Sequence, residues 1–130
     1  MSPLELTHTI LCTDEVMKKL ETALKDAPSF LSLLTTLLSF FADTYRDVFR
    51  IPAPPLHDPM AVVRVVAPHL ITESAPCLVR ADTSRGPCSG RTIVDLLRIT
   101  EPGKDSREWN CDVATKADVE KVWDFIFDAI

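Results

Sequence analysis

Apolar residues along this chain recur at helical spacing in three stretches and alternate with polar residues in several shorter ones. Behind Thr13, Asp14 and Glu15, a cap followed by first-turn acids, Val16, Leu20 and Leu24 recur every four residues and predict a helix. Pro28 opens the next element, in which Phe30, Leu33, Leu34, Leu37, Leu38, Phe41, Tyr45 and Val48 fall on one face of a long helix reaching about Phe49. That stripe reads as core packing, because its spacing is what any buried helix needs. Near the end, Val119, Val122, Trp123, Ile126 and Ile130 form the apolar stripe of a last helix, with Thr115 and Asp118 as its capping residues.

The period-two segments are shorter. Leu4-Glu5-Leu6-Thr7 predicts a strand at the start of the chain. Cys77 to Thr83 and Arg91 to Asp95 predict an antiparallel pair around a turn punctuated by Gly86-Pro87 and Ser89-Gly90, and Asn110 to Ala114 predicts a third strand. Glu101 to Ser106, with Pro102 and Gly103, reads as an exposed loop. The order supplies several helix faces and little sheet to receive them, which points to part of a larger α/β layer structure.

Between the long helix and the strands lies Pro54-Pro55-Leu56-His57-Asp58-Pro59. Proline fixes φ and biases the preceding residue toward extended backbone, so Leu56 to Asp58 should form a defined hook. Asp58-Pro59 reads as N-cap and first helical position, and Met60 to Val66 as a short, largely buried helix ending before Pro68. The hook thus delivers a group that titrates near neutrality and a carboxylate together at a helix N-terminus, where the dipole favours the neutral imidazole. A histidine before an Asp-Pro helix start is also an ordinary structural arrangement. His8 and His69 read as hydrogen-bonded structural residues at an element end and a turn.

Composition narrows the classes. At 130 residues with 46% hydrophobic content, the chain is long enough for one domain. A net charge of -5, with basic residues scattered, argues against nucleic acid or an anionic membrane as partner. The apolar run from Phe30 to Phe41 is interrupted by Ser32, Thr35, Thr36 and Ser39 and falls short of the roughly 18 residues of a membrane span. Met1 to Glu5 shows no basic and apolar leader pattern, so a soluble, cytoplasmic protein is expected. Cys12, Cys77, Cys88 and Cys111 make no metal-finger spacing and read as free thiols, with a Cys77–Cys88 bridge across neighbouring strands as a lesser alternative. No Gly-rich phosphate loop, nucleophile elbow or His-Glu-x-x-His pair is present.

Taken together, these segments resemble the C-terminal part of the inosine-uridine-preferring nucleoside N-ribohydrolases. Leu4 to His8 is similar to the family's strand ending in Thr-His, Thr13 to Val16 to the capped helix after it, and Phe40 to Tyr45 to its aromatic helix beside the active site. Pro55-Leu56-His57-Asp58-Pro59-Met60-Ala61-Val62 resembles its His-Asp-Pro segment, the most specific of these signals. Arg80 to Gly86, Gly90 to Asp95 and Asn110 to Ile130 follow in the family's order. The resemblance implies an α/β fold, the C-terminal part of an open doubly wound sheet with helices whose N-terminal strands are missing, and residues 1–130 as one partial domain. It implies hydrolysis of the N-glycosidic bond of a ribonucleoside to ribose and free base. By position, His57 would protonate the departing base, Asp58 would ligate a calcium ion that holds the ribose diol and activates water, and Tyr45 would line the base pocket or its mobile lid.

Three departures bear on that expectation. Phe41 stands where the family usually carries an earlier aromatic hydroxyl, and Pro87-Cys88-Ser89 alters the turn between the strands. The family's Asp-rich loop, of the form Asp-x-Asp-x-Gly-x-Asp-Asp, and its ribose-binding Asn and Glu have no counterpart in these residues. Calcium takes about 6–8 oxygens and one carboxylate offers at most two. The chain alone is therefore expected to be weak or inactive, and to act with a complementary N-terminal half or as an oligomer. The alternative is a small non-catalytic α+β module that binds a partner through the Leu/Phe-rich helix.

Overall fold

In a computed structural model, residues 1–97 and 109–130 are described, and the expected loop at Glu101 to Ser106 lies outside them. The chain opens with a helical turn, α1 (Leu4–Thr7), where alternation predicts a strand. Four residues are too few to separate a period of 2 from one of 3.6. The turn satisfies its backbone locally, with the Leu6 and Thr7 amides on Pro3 O and the His8 amide on Leu4 O. Leu6 and Thr7 are buried by it.

The capped helix is α2 (Asp14–Ala23), and the Thr13 hydroxyl accepts from the Val16 amide at 3.4 Å. Pro28 begins α3 (Pro28–Thr44), which continues as one π-helical turn, Tyr45–Phe49, and stops at Arg50 in the left-handed region. The expected burial of α3 does not hold. Leu34 and Leu38 are half-buried against the core, whereas Phe30, Leu33, Leu37, Phe41 and Val48 are exposed. Periodicity marks a face that prefers cover, and too few described elements pack against α3 to supply it.

The proline hook is tied to the segment after α1. The Leu56 amide donates to Ile10 O (2.8 Å) and the Cys12 amide to Pro54 O (2.9 Å), with a single antiparallel bridge from Leu11 to Pro55. Helix α4 (Asp58–Val66) follows. His57, not Asp58, takes the N-cap position, and Asp58 lies in the first turn. Only Met60 and Val63 of α4 are buried, while Val62, Val65 and Val66 are exposed, so the helix is less buried than its composition predicts.

After a 3₁₀ turn at Pro68–Leu70, β1 (Ile71–Cys77) pairs antiparallel with β4 (Cys111–Ala117), and β2 (Val79–Ala81) with β3 (Thr92–Val94). The single strand expected at Cys77 to Thr83 is thus two strands in two sheets, and most of β1 lies before its predicted start. Cys77 sits opposite Cys111, not Cys88, and all four cysteines are free thiols. Thr115 belongs to β4, leaving Asp118 alone to cap α5 (Val119–Asp128) through the Lys121 amide. Buried Leu6, Ile10, Leu20, Met60, Val63, Val122 and Trp123 form the core that joins α1, α2, α4 and α5. No helix among the described residues is long and apolar enough to cross a membrane.

Candidate active site

The tie between Leu56 and Ile10 brings His57, fifty residues downstream, against the end of α1. Its Nδ1 lies 2.7 Å from Thr7 Oγ1. From the other side, the Tyr45 hydroxyl lies 2.6 Å from Nε2. Tyr45 stands at the start of the π-helical turn, an arrangement that re-aims side chains at functional positions in many helices. His8 adds its ring edge-on, with centroids 5.3 Å from His57 and 6.2 Å from Tyr45. Phe49 lies against the Tyr45 ring with centroids 5.1 Å apart.

Held between two hydroxyls, the His57 ring makes no side-chain cap to the α4 amides. Its pKa lies below the ordinary histidine value, first because burial penalises the charged ring and then because His8 repels it, with the Asp58 carboxylate pulling the other way. The neutral imidazole expected from the helix N-terminus is therefore favoured, though burial is the main cause.

Asp58 is exposed beside this ring, and no hydrogen bond or ion pair joins its carboxylate to another described residue. It is chemically suited to a hard cation. Among the described residues, however, no group of three or more His, Cys, Asp or Glu side chains converges, so by themselves they do not make a metal centre. An open groove of about 870 Å³ is lined by residues including Pro3, Leu6, Arg91, Thr92 and Val113, and includes none of Thr7, Tyr45, His57 or Asp58.

The structure thus unites Tyr45, His57 and Asp58, the three residues singled out from sequence. It adds Thr7 and His8, which the sequence reading treated as the end of a structural element. Their adjacency to the hook depends on the Ile10–Leu56 pairing, which no local pattern announces. His69 lies in the 3₁₀ turn, exposed and outside the cluster.

The family model described as inosine-uridine preferring nucleoside hydrolase matches residues 1–124. A protein of Dictyostelium discoideum named as a probable ribonucleoside hydrolase is 35% identical over all of this chain, which covers 37% of that relative. The pyrimidine-specific ribonucleoside hydrolase RihB of Escherichia coli is 26% identical, again over the whole chain and 39% of its own length. Among solved structures, a purine-preferring ribonucleoside hydrolase from Gardnerella vaginalis superposes with a TM-score of 0.72 at 27% identity, covering 98% of this chain and 37% of the other. A plant nucleoside hydrolase gives 0.71 at 28% identity, with 96% and 38% covered. The chain spans about two fifths of the length of these relatives, as fits a C-terminal portion of their fold. With this match over nearly all its residues, the chain belongs to the inosine-uridine preferring nucleoside hydrolase family.

Proposed function

We propose that this chain carries the leaving-group side of a nucleoside N-glycosidase site, releasing free base and ribose from a purine or pyrimidine ribonucleoside. The observation that supports this best is the His57 imidazole, pinned at both nitrogens by Thr7 and Tyr45, beside an Asp58 carboxylate with no partner among the described residues. Cleavage of an N-glycosidic bond builds positive charge on the sugar and negative charge on the base. His57 relieves the second by protonating a base nitrogen as the C–N bond breaks. A lowered pKa makes the imidazolium a stronger acid while reducing its population at neutral pH, the compromise that general acid catalysis requires. Tyr45, next to His57, lines the base pocket.

Asp58 would be one ligand of a calcium ion, which when bound holds the ribose diol and activates water. Further ligands and the base for water would come from a complementary N-terminal part of the domain. On this reading residues 1–130 are one partial domain, weak or inactive alone. The test is to fuse or co-express the chain with the N-terminal portion of a family member and follow release of base from inosine and uridine. Calcium-dependent release is expected, with His57→Ala lowering turnover by roughly 10²–10⁴. Restored activity indifferent to both calcium and His57 would overturn the reading.

A second reading rests on the exposed apolar residues of α3, including Phe30, Leu33, Leu37 and Phe41. A non-catalytic α+β module could engage a partner through that face. It predicts a cooperative thermal transition and a monodisperse species for the isolated chain; an aggregating or molten product would reject it.

A further inference from the structure

Three hydrogen atoms decide how the Thr7–His57–Tyr45 chain is polarised. The Thr7 hydroxyl has two neighbours able to accept its hydrogen, Leu4 O at 3.3 Å and His57 Nδ1 at 2.7 Å. If it is given to Nδ1, the contact to Leu4 is lost, the ring hydrogen sits on Nε2, and the Tyr45 hydroxyl becomes an acceptor with its own hydrogen unused. If it is given to Leu4 O, every hydrogen has an acceptor: Nδ1–H donates to Thr7 Oγ1, and Tyr45 donates to Nε2. The second arrangement makes three bonds where the first makes two, all running in one direction, so that each strengthens the next. It also uses each group in its better role, since a phenol donates more readily than an aliphatic hydroxyl. Thr7 is buried, at 3% exposure, so water competes poorly for its oxygen.

We propose that Thr7 is a positioning residue for His57: it holds the ring as the Nδ1–H tautomer and so reserves Nε2 as the nitrogen that carries the transferable proton. This rests on the proposed role of His57 as the acid. In that step the Nε2–H bond breaks as its proton passes to the Tyr45 hydroxyl oxygen, and that hydroxyl gives its own hydrogen to a base nitrogen. The C–N bond's electron pair leaves with the base, and the imidazolium returns to the neutral Nδ1–H ring that Thr7 still holds. Without Thr7 the ring would be free to lodge its remaining hydrogen on either nitrogen.

The test reads the tautomer directly and does not require catalysis. The full chain, uniformly labelled with nitrogen-15, is studied by two-bond proton–nitrogen correlation above the ordinary histidine titration range. His57 is expected to show a protonated, pyrrole-type Nδ1 and an unprotonated, pyridine-type Nε2. Thr7→Val, which keeps the shape and removes the acceptor, should shift the tautomer ratio toward Nε2–H by about tenfold, the factor one ordinary net hydrogen bond is worth. Thr7→Ser should restore the Nδ1–H form, and Tyr45→Phe should retain it. Nε2–H in the unaltered chain, an unchanged ratio in folded Thr7→Val, or loss of Nδ1–H in folded Thr7→Ser would each overturn the proposal. Should Thr7→Val fail to fold, the unaltered and Thr7→Ser spectra still decide it. A chain that shows the expected tautomer yet supports no base release when completed would refute the role of His57 and leave that of Thr7 intact.

Discussion

Arg64 is the residue whose removal most directly tests how α4, and with it the His57–Asp58 hook, is held. Its Nη1 donates to Met1 O at 3.1 Å, and its Nη2 to Asp112 O at 2.9 Å and to Asp112 Oδ2 at 2.6 Å. One guanidinium therefore ties the C-terminal half of α4 to both the first residue and β4. The Arg64 side chain is 20% exposed and that of Asp112 54%, so the contacts are unequal. Bonds from a charged donor to two carbonyls in a partly dry site are worth about 1–1.5 kcal/mol each, at the low end for charged groups because the edge is wet. The ion pair, half in water, adds only about 0.5 kcal/mol. Arg64→Met, which keeps the stem, should cost about 2.5–3.5 kcal/mol. Asp112→Asn, which leaves both carbonyl acceptors in place, should cost about 0.5 kcal/mol. Urea unfolding followed by tryptophan fluorescence measures both, provided the denaturant slope is unchanged. A double mutant no worse than Arg64→Met alone would place the Asp112 carboxylate wholly within the Arg64 contact. The reasoning fails if Arg64→Met costs under about 0.5 kcal/mol, or if the two single substitutions cost the same.

Further expectations concern pH and packing. Because the His57 pKa is lowered on folding, the unfolded chain binds more protons as pH falls through the ordinary histidine value of 6.5. Stability should therefore decline below that point, and His57→Gln should flatten the decline in thermal melts taken across the acid range. Cys12 is buried and its thiol pKa is pushed from 9.0 up to about 11, so the unfolded chain loses its proton first. Stability should drop by up to about 3 kcal/mol as pH rises between those values, and an alkaline limb that persists in Cys12→Ala would refute this. Met60 is fully buried at the core face of α4, and Met60→Ala should cost about 2–5 kcal/mol in chemical denaturation. Thr13→Ala removes the hydroxyl acceptor at the start of α2 and should cost about 1 kcal/mol, visible as a shift in the urea midpoint.

Much of the local structure was legible because it depends on neighbours in the chain. The cap at Thr13, the opening of α3 at Pro28, the stop before Pro68 and the antiparallel β2–β3 pair all follow from turn, cap and periodicity rules acting over a few residues. The family resemblance was also legible, because His57-Asp58-Pro59 and its flanking segments occur in a recognisable order. Neighbours in the chain do not set an element's environment. Leu4–Thr7 became a helical turn because its backbone groups could be satisfied locally, and the α3 stripe stayed largely exposed because a moment describes a face and not what covers it.

The site divides in the same way. Sequence alone determined that a histidine, a carboxylate and a tyrosine of suitable chemistry are present, and that prolines stiffen the loop carrying two of them. Only the tertiary structure decided that His57 takes the N-cap place, with no hydrogen bond or ion pair to the Asp58 carboxylate among the described residues. It alone joined Ile10 to Leu56, and so set Thr7 on one nitrogen of His57 and Tyr45 on the other. The physical reason is range: caps and periodicity act over one or two helical turns, whereas a hydrogen bond across fifty residues exists only once the core has fixed both ends.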